Sequence, residues 1–127
     1  MAGPRGLAWK GLVDIEGLRE MQAGGAVVVD SREEHRYLGL EEPIDPVAGH
    51  IPGALNRPWQ QVTDDRGKLG TTAQQQAHWG ELAGEDSLVV YCGSGVTACV
   101  NLFSLASLGR EDAHLYAGSW SDWCTYL

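Results

Sequence analysis

Two short runs, Ala26-Val27-Val28-Val29-Asp30 and Leu88-Val89-Val90-Tyr91, set consecutive apolar side chains along the chain without alternation. A strand with one wet face alternates polar and apolar residues, whereas a strand covered on both faces has no reason to. Both runs are far too short to span a bilayer. They therefore read as central strands of a mainly parallel sheet with helices on both faces. Helical segments are expected around them. Asp14 suits an N-cap, and Ile15, Leu18, Met21 and Gln22 keep helical spacing up to Gly24-Gly25. Further helices are expected from Thr72 to Leu82, capped by Thr71 or Thr72, and from Val96 to Leu108, ended by Gly109. In the latter, Thr97, Asn101 and Ser104 form a narrow polar stripe, which predicts that the apolar remainder is mostly buried. Ser31 to Leu38 reads as a short helix, Gly39 to Ala48 as a long loop, and Leu55-Asn56 and His114–Tyr116 as short strands. A last short helix reaches Trp123, and residues 1–8 read as a flexible lead-in. Alternating strands and helices make the class α/β.

Composition narrows the partners. The 127 residues are 43% hydrophobic, which suits one domain over 1–127 with a packed core. The formal charge of −8 argues against a nucleic-acid partner, because an acidic surface repels phosphates. Three cysteines, at 92, 99 and 124, make an odd count with no zinc-type spacing. His35, His78 and His114 add no ligand pattern, so neither a metal nor a cofactor is expected. No signal peptide or membrane span is visible, and the chain is expected to be cytoplasmic.

The chemistry concentrates after the second apolar run, at Cys92-Gly93-Ser94-Gly95-Val96-Thr97. A cysteine at the carboxyl end of a strand, on a glycine-rich loop below a helix, faces inward-pointing N–H groups and the positive end of the helix dipole. That setting favours a thiolate. It also offers oxyanion donors from Gly93, Gly95, Val96 and Thr97. As bare structure, the same residues are a tight strand-to-helix turn, Thr97 a helix cap and Cys92 a buried core thiol.

Five elements in order resemble the rhodanese superfamily: Val29-Asp30-Ser31-Arg32, Arg36-Tyr37-Leu38-Gly39, Gly49-His50-Ile51-Pro52-Gly53-Ala54, the Cys92 loop, and Tyr116-Ala117-Gly118-Ser119-Trp120 with Trp123. The resemblance implies a five-stranded α/β domain whose cysteine carries sulfane sulfur as a persulfide. The neutral loop is similar to that of the catalytic domain of 3-mercaptopyruvate sulfurtransferases. Thiosulfate enzymes of the two-domain type carry basic residues where this chain has Gly93 and Ser94, as suits a dianionic donor. The resemblance also implies an inactive N-terminal rhodanese-like domain, absent from this sequence, whose His and Asp would work with the hydroxyl of Ser94.

By this resemblance Cys92 is the nucleophile, Ser94 handles a proton, and Arg36 clamps the substrate carboxylate. Arg32 is expected to support the site by pairing with Asp30 or a loop carbonyl, and His50 to be a structural hydrogen bonder. Cys99 should sit inert in its helix, and Cys124 would matter only if exposed. Trp120 and Trp123 are expected in the core and pocket wall. The acceptor would be a thiol, a dithiol or cyanide. Related loops of cysteine phosphatases need an arginine six positions after the cysteine, and residue 98 is Ala, which disfavours phosphate chemistry. Transfer from thiosulfate, or a persulfide relay without turnover inside a larger protein, stand as alternatives.

Overall fold

A computed structural model describes residues 11–64 and 66–127; the lead-in at residues 1–8 lies outside them. Five parallel strands form one sheet in the order β1-β5-β4-β2-β3. They are β1 (Leu12–Val13), β2 (Val27–Asp30), β3 (Leu55–Asn56), β4 (Leu88–Tyr91) and β5 (His114–Tyr116). The two apolar runs become the adjacent central strands, with Val27 opposite Leu88 and Asp30 opposite Tyr91. Their side chains alternate between two cores. Val28, Val89 and Tyr91 pack with Ile15 and Leu18 of α1 (Ile15–Ala23) and with Trp120 and Trp123 of α5 (Ser119–Trp123). Val29, Leu88, Val90 and Cys92 pack with Trp79 of α3 (Thr72–Trp79) and with Ala98 and Leu105 of α4 (Ala98–Ser107). Cys92 thus belongs to the α3/α4 side before it belongs to any site.

The caps agree with the residues that make them. Asp14 accepts from the Gly17 N–H at 2.8 Å, and Thr71 from the Gln74 N–H at 3.1 Å. Helix α3 ends at Trp79, short of Leu82, because Gly80 takes a left-handed φ of 53° and the chain continues as a 3-10 turn. The helix expected over Ser31–Leu38 is only α2 (Glu34–Tyr37), since Ser31 and Arg32 lie buried in the bend that follows β2. Strand β1 has no forecast in the sequence; two residues at a sheet edge are too few to show a period.

Helix α4 reverses one expectation. It starts at Ala98, and its polar stripe faces the interior: Asn101 and Ser104 are fully buried. Phe103 is 67% exposed, and Cys99 is exposed as well. The reason is that the polar groups of Asn101 and Ser104 find partners. Asn101 Nδ2 donates to Ser31 Oγ at 2.8 Å and to the Arg57 carbonyl at 2.7 Å. Ser104 Oγ accepts from Trp79 Nε1 and donates to Gln75 Oε1. Once satisfied, buried polar groups no longer oppose burial. No described helix is long and apolar enough to cross a membrane.

Candidate functional site

The carboxyl end of β4 delivers Cys92 to a loop held from behind by the start of α5. The Cys92 N–H donates to Ser119 Oγ at 3.0 Å, and the Ser119 hydroxyl donates to the Tyr116 carbonyl at 2.9 Å. The Cys92 and Gly93 carbonyls accept from the Trp120 and Ser121 N–H groups, both at 2.9 Å. Ser119 takes a left-handed φ of 58°, uncommon for a residue with a side chain. That conformation brings its hydroxyl and the next two amides to the loop. In the sequence Ser119 stands only within the Tyr116–Trp120 element of the resemblance, with no role of its own, and the small residues Gly118-Ser119 are the signal for a sharp backbone change.

The loop closes over the sulfur. The Gly95 N–H donates to Cys92 Sγ at 3.0 Å. Gly95 has a φ of 93°, and a Cβ there would run into the Ala117 carbonyl. Only glycine can occupy that point. The N–H groups of Gly93, Ser94, Val96 and Thr97 have no acceptor among the described residues, so the turn that follows Cys92 carries unused donors. Thr97 does not cap α4: its side chain makes no capping bond and its backbone is already helical. Val96 projects to solvent, so its contribution is its backbone alone.

Gly93, Ser94 and Thr97 form one wall of a cavity of about 300 Å³, and Arg36 the facing wall. A Cβ on Gly93 would come 3.4 Å from Arg36 Nη1, so the guanidinium lies directly over the loop. Ser94 is exposed at the cavity and makes no side-chain hydrogen bond among the described residues. Arg36 is not a free cation. Its Nη2 donates to Glu42 Oε2 at 2.9 Å and lies 3.5 Å from Asp45 Oδ2. Burial pushes the Glu42 carboxyl up, but the Asp45 and Ile44 N–H groups and Arg36 outweigh it and hold the pKa below the usual carboxylate value. Glu42 and Asp45 sit in the Gly39–Ala48 loop, in which the sequence analysis assigns no site residue.

Arg32 also borders the cavity, although it is almost fully buried. Its guanidinium makes a bidentate pair with Asp30, donates to the Gly49 carbonyl and Glu42, and stacks 5.1 Å over the Trp120 ring. His50 faces the Tyr37 carbonyl through Nδ1 at 2.7 Å and stacks on the Tyr37 ring. Trp120 and Trp123 are buried core residues and do not line the cavity; the cavity tryptophan is Trp59, which the sequence did not single out. Cys124 is buried, and its Sγ–H points to the Val47 carbonyl. No group of three or more His, Cys, Asp or Glu side chains among the described residues converges as a metal site.

Residues 14–126 match the family model described as a rhodanese-like domain. A probable 3-mercaptopyruvate sulfurtransferase of Pseudomonas aeruginosa is 42% identical over 118 residues, which are 90% of this chain and 42% of that protein. A putative thiosulfate sulfurtransferase of Mycobacterium tuberculosis is 44% identical over 109 residues, 80% of this chain and 36% of the relative. The solved structure of the 3-mercaptopyruvate sulfurtransferase from Leishmania major superposes with a TM-score of 0.78 at 28% identity, covering 94% of this chain and 34% of that one. The chain therefore spans well under half the length of these relatives.

Proposed function

The chain belongs to the family of proteins with a rhodanese-like domain, and from that membership we propose that it is a sulfurtransferase carrying sulfane sulfur as a persulfide on Cys92, with 3-mercaptopyruvate as donor. The observation that carries this reading is the Gly95 N–H on Cys92 Sγ, inside a turn whose other amides are unused. Hydrogen bonds from the backbone stabilise negative charge on the sulfur without costing reorganisation during the reaction.

The Cys92 thiolate attacks the donor's sulfur. The donor's carbon–sulfur bond breaks, and its electron pair enters the ketone system as the pyruvate enolate. A proton reaches the enolate carbon through the Ser94 hydroxyl, and pyruvate leaves. The outer sulfur stays on Cys92, held by the loop amides. An acceptor thiolate then attacks that sulfur, the S–S bond breaks, and its electrons return to Cys92. Arg36 orients the donor's carboxylate over Gly93, sharing its charge with Glu42.

The uncharged loop at Gly93 and Ser94 favours a monoanionic keto acid over dianionic thiosulfate. Thiosulfate remains a second reading, because the Mycobacterium tuberculosis relative bears that name at similar identity. The described residues form the catalytic unit in this reading, and a second rhodanese-like domain would supply the partners of Ser94. Three free cysteines suit the reducing cytoplasm. Turnover is measured with each donor in turn and cyanide or a dithiol as acceptor, for the chain and for Cys92→Ser. Faster turnover with 3-mercaptopyruvate, abolished in Cys92→Ser, is expected. Faster turnover with thiosulfate overturns the donor assignment. A stable persulfide without turnover points to a relay.

A further inference from the structure

The two walls of the cavity beside Cys92 come from distant parts of the chain. One is the Cys92 loop; the other is Arg36 with the Gly39–Ala48 loop that follows it. That second wall contains no helix or strand, and its apolar side chains do not anchor it, since Leu40 is 76% and Ile44 75% exposed. A segment with few buried apolar contacts keeps its shape only through its polar tethers. The position of Arg36 depends on this segment, because its Nη2 donates to Glu42 and lies 3.5 Å from Asp45 Oδ2.

One side chain ties this wall to the other. Ser121 Oγ donates to Asp45 Oδ1 at 2.6 Å and is the one hydroxyl that does so among the described residues. The backbone N–H of the same residue donates to the Gly93 carbonyl at 2.9 Å. Ser121 also borders the cavity itself. The neighbouring tether, from Trp120 Nε1 to the Val47 carbonyl, belongs to a core side chain and does not reach the cavity. The gap that Ser121 spans is narrow, with Arg36 Nη1 only 3.4 Å from where a Cβ on Gly93 would stand. Small displacements across such a gap weigh heavily on the placement of a reactant.

We propose that Ser121 is a positioning residue for the donor. Its hydroxyl, acting through Asp45, sets where Arg36 stands over the Cys92 loop, and its amide ties that setting to the loop. This rests on the reading of 3-mercaptopyruvate as donor and Arg36 as its carboxylate clamp. Without the hydroxyl, the Asp45 carboxylate is free to turn onto Arg36 as a full ion pair. The guanidinium is then drawn from over Gly93, and the charge needed by the donor's carboxylate is shared further. Replacing the side chain by alanine leaves the amide of residue 121 in place, so the effect falls on donor binding and not on the nucleophile.

The test follows persulfide formation on Cys92 by mass spectrometry over a range of 3-mercaptopyruvate concentrations. Ser121→Ala should raise the half-saturating concentration about 5-fold and leave the limiting rate within about 2-fold. Ser121→Thr, which keeps a hydroxyl, should stay close to the parent. In an Asp45→Ala background, Ser121→Ala should have no further effect, because the interaction it removes is already lost. An unchanged half-saturating concentration in Ser121→Ala overturns the proposal, and so does a fall confined to the limiting rate or an equal effect in the Asp45→Ala background. Should Ser121→Ala not fold, Ser121→Thr and Ser121→Val, alike in shape and different in the hydroxyl, give the same contrast; equal half-saturating concentrations for these two overturn it. Failure of the unaltered chain to load from 3-mercaptopyruvate overturns the donor reading and this inference with it, whereas loading that is indifferent to Ser121 overturns the inference only.

Discussion

Two buried polar clusters flank Cys92, and they differ in how they are satisfied. Beneath α4, Asn101, Ser31, Ser104, Trp79 and Gln75 answer one another's hydrogen-bonding groups within the protein. Across the loop, Arg36, Asp45 and Gln60 leave atoms unanswered. The first cluster is the inner support of the helix that follows the nucleophile; the second faces a cavity. Burial of polar atoms alone does not mark a site. On the open side, the unanswered atoms belong to side chains that line the cavity.

The largest expected effect is on chemistry at the boundary between the two clusters. Cys92→Ser should lower sulfur transfer from any donor by on the order of 10³-fold or more, with unfolding midpoints close to those of the parent. A residual rate near the parental value would place the nucleophile elsewhere. The next prediction attacks the satisfied cluster. Asn101→Ala strips partners from Ser31, the Arg57 carbonyl and His78 at once, and should cost about 3 kcal/mol or more in urea unfolding. The turnover of the molecules that remain folded should change little, and a loss of turnover without a loss of stability would erase the contrast.

His78 offers a pH test of the same cluster. Burial lowers its pKa to about 4, against the opposing hydrogen bond with Asn101. With Nε2 donating to Asn101 Oδ1, protonation falls on Nδ1, which has no acceptor among the described residues. An unfolded histidine protonates near pH 6.5. Between those values the unfolded state binds more protons, so stability is full above about pH 6.5 and falls as pH drops toward 4, by on the order of 3 kcal/mol. Urea midpoints between pH 7 and pH 4.5 should fall, and less steeply in His78→Gln. Parallel slopes would remove His78 as the cause.

On the open side, Arg36→Ala should raise the KM for 3-mercaptopyruvate about 10-fold, with kcat less affected. An unchanged KM removes the carboxylate clamp. The smallest effect belongs to Thr97→Val, expected to shift stability by less than about 0.5 kcal/mol because the side chain makes no cap bond. A loss of 1 kcal/mol or more would restore Thr97 as a cap.

The central strands, the order of elements and the Cys92 loop were legible because local signals carry them: unbroken apolar runs, glycines and a cysteine at a strand end. Strand β1 and the early end of α3 were less so, since a two-residue edge and one left-handed glycine leave faint local traces. The α4 stripe misled because periodicity reports polarity, and the satisfaction of Asn101 and Ser104 depends on residues 23 to 70 positions away. For the same reason Glu42, Asp45, Gln60 and Ser119 stayed silent. Each acquires meaning from a partner that folding brings to it.

The supports of the Cys92 loop lie later in the chain than the loop itself. Ser119, Trp120 and Ser121 fasten it from behind through three hydrogen bonds. During synthesis, therefore, the thiol emerges well before the frame that shapes its surroundings. Until residue 121 is free to fold, the Cys92 loop lacks the residues that hold it from behind.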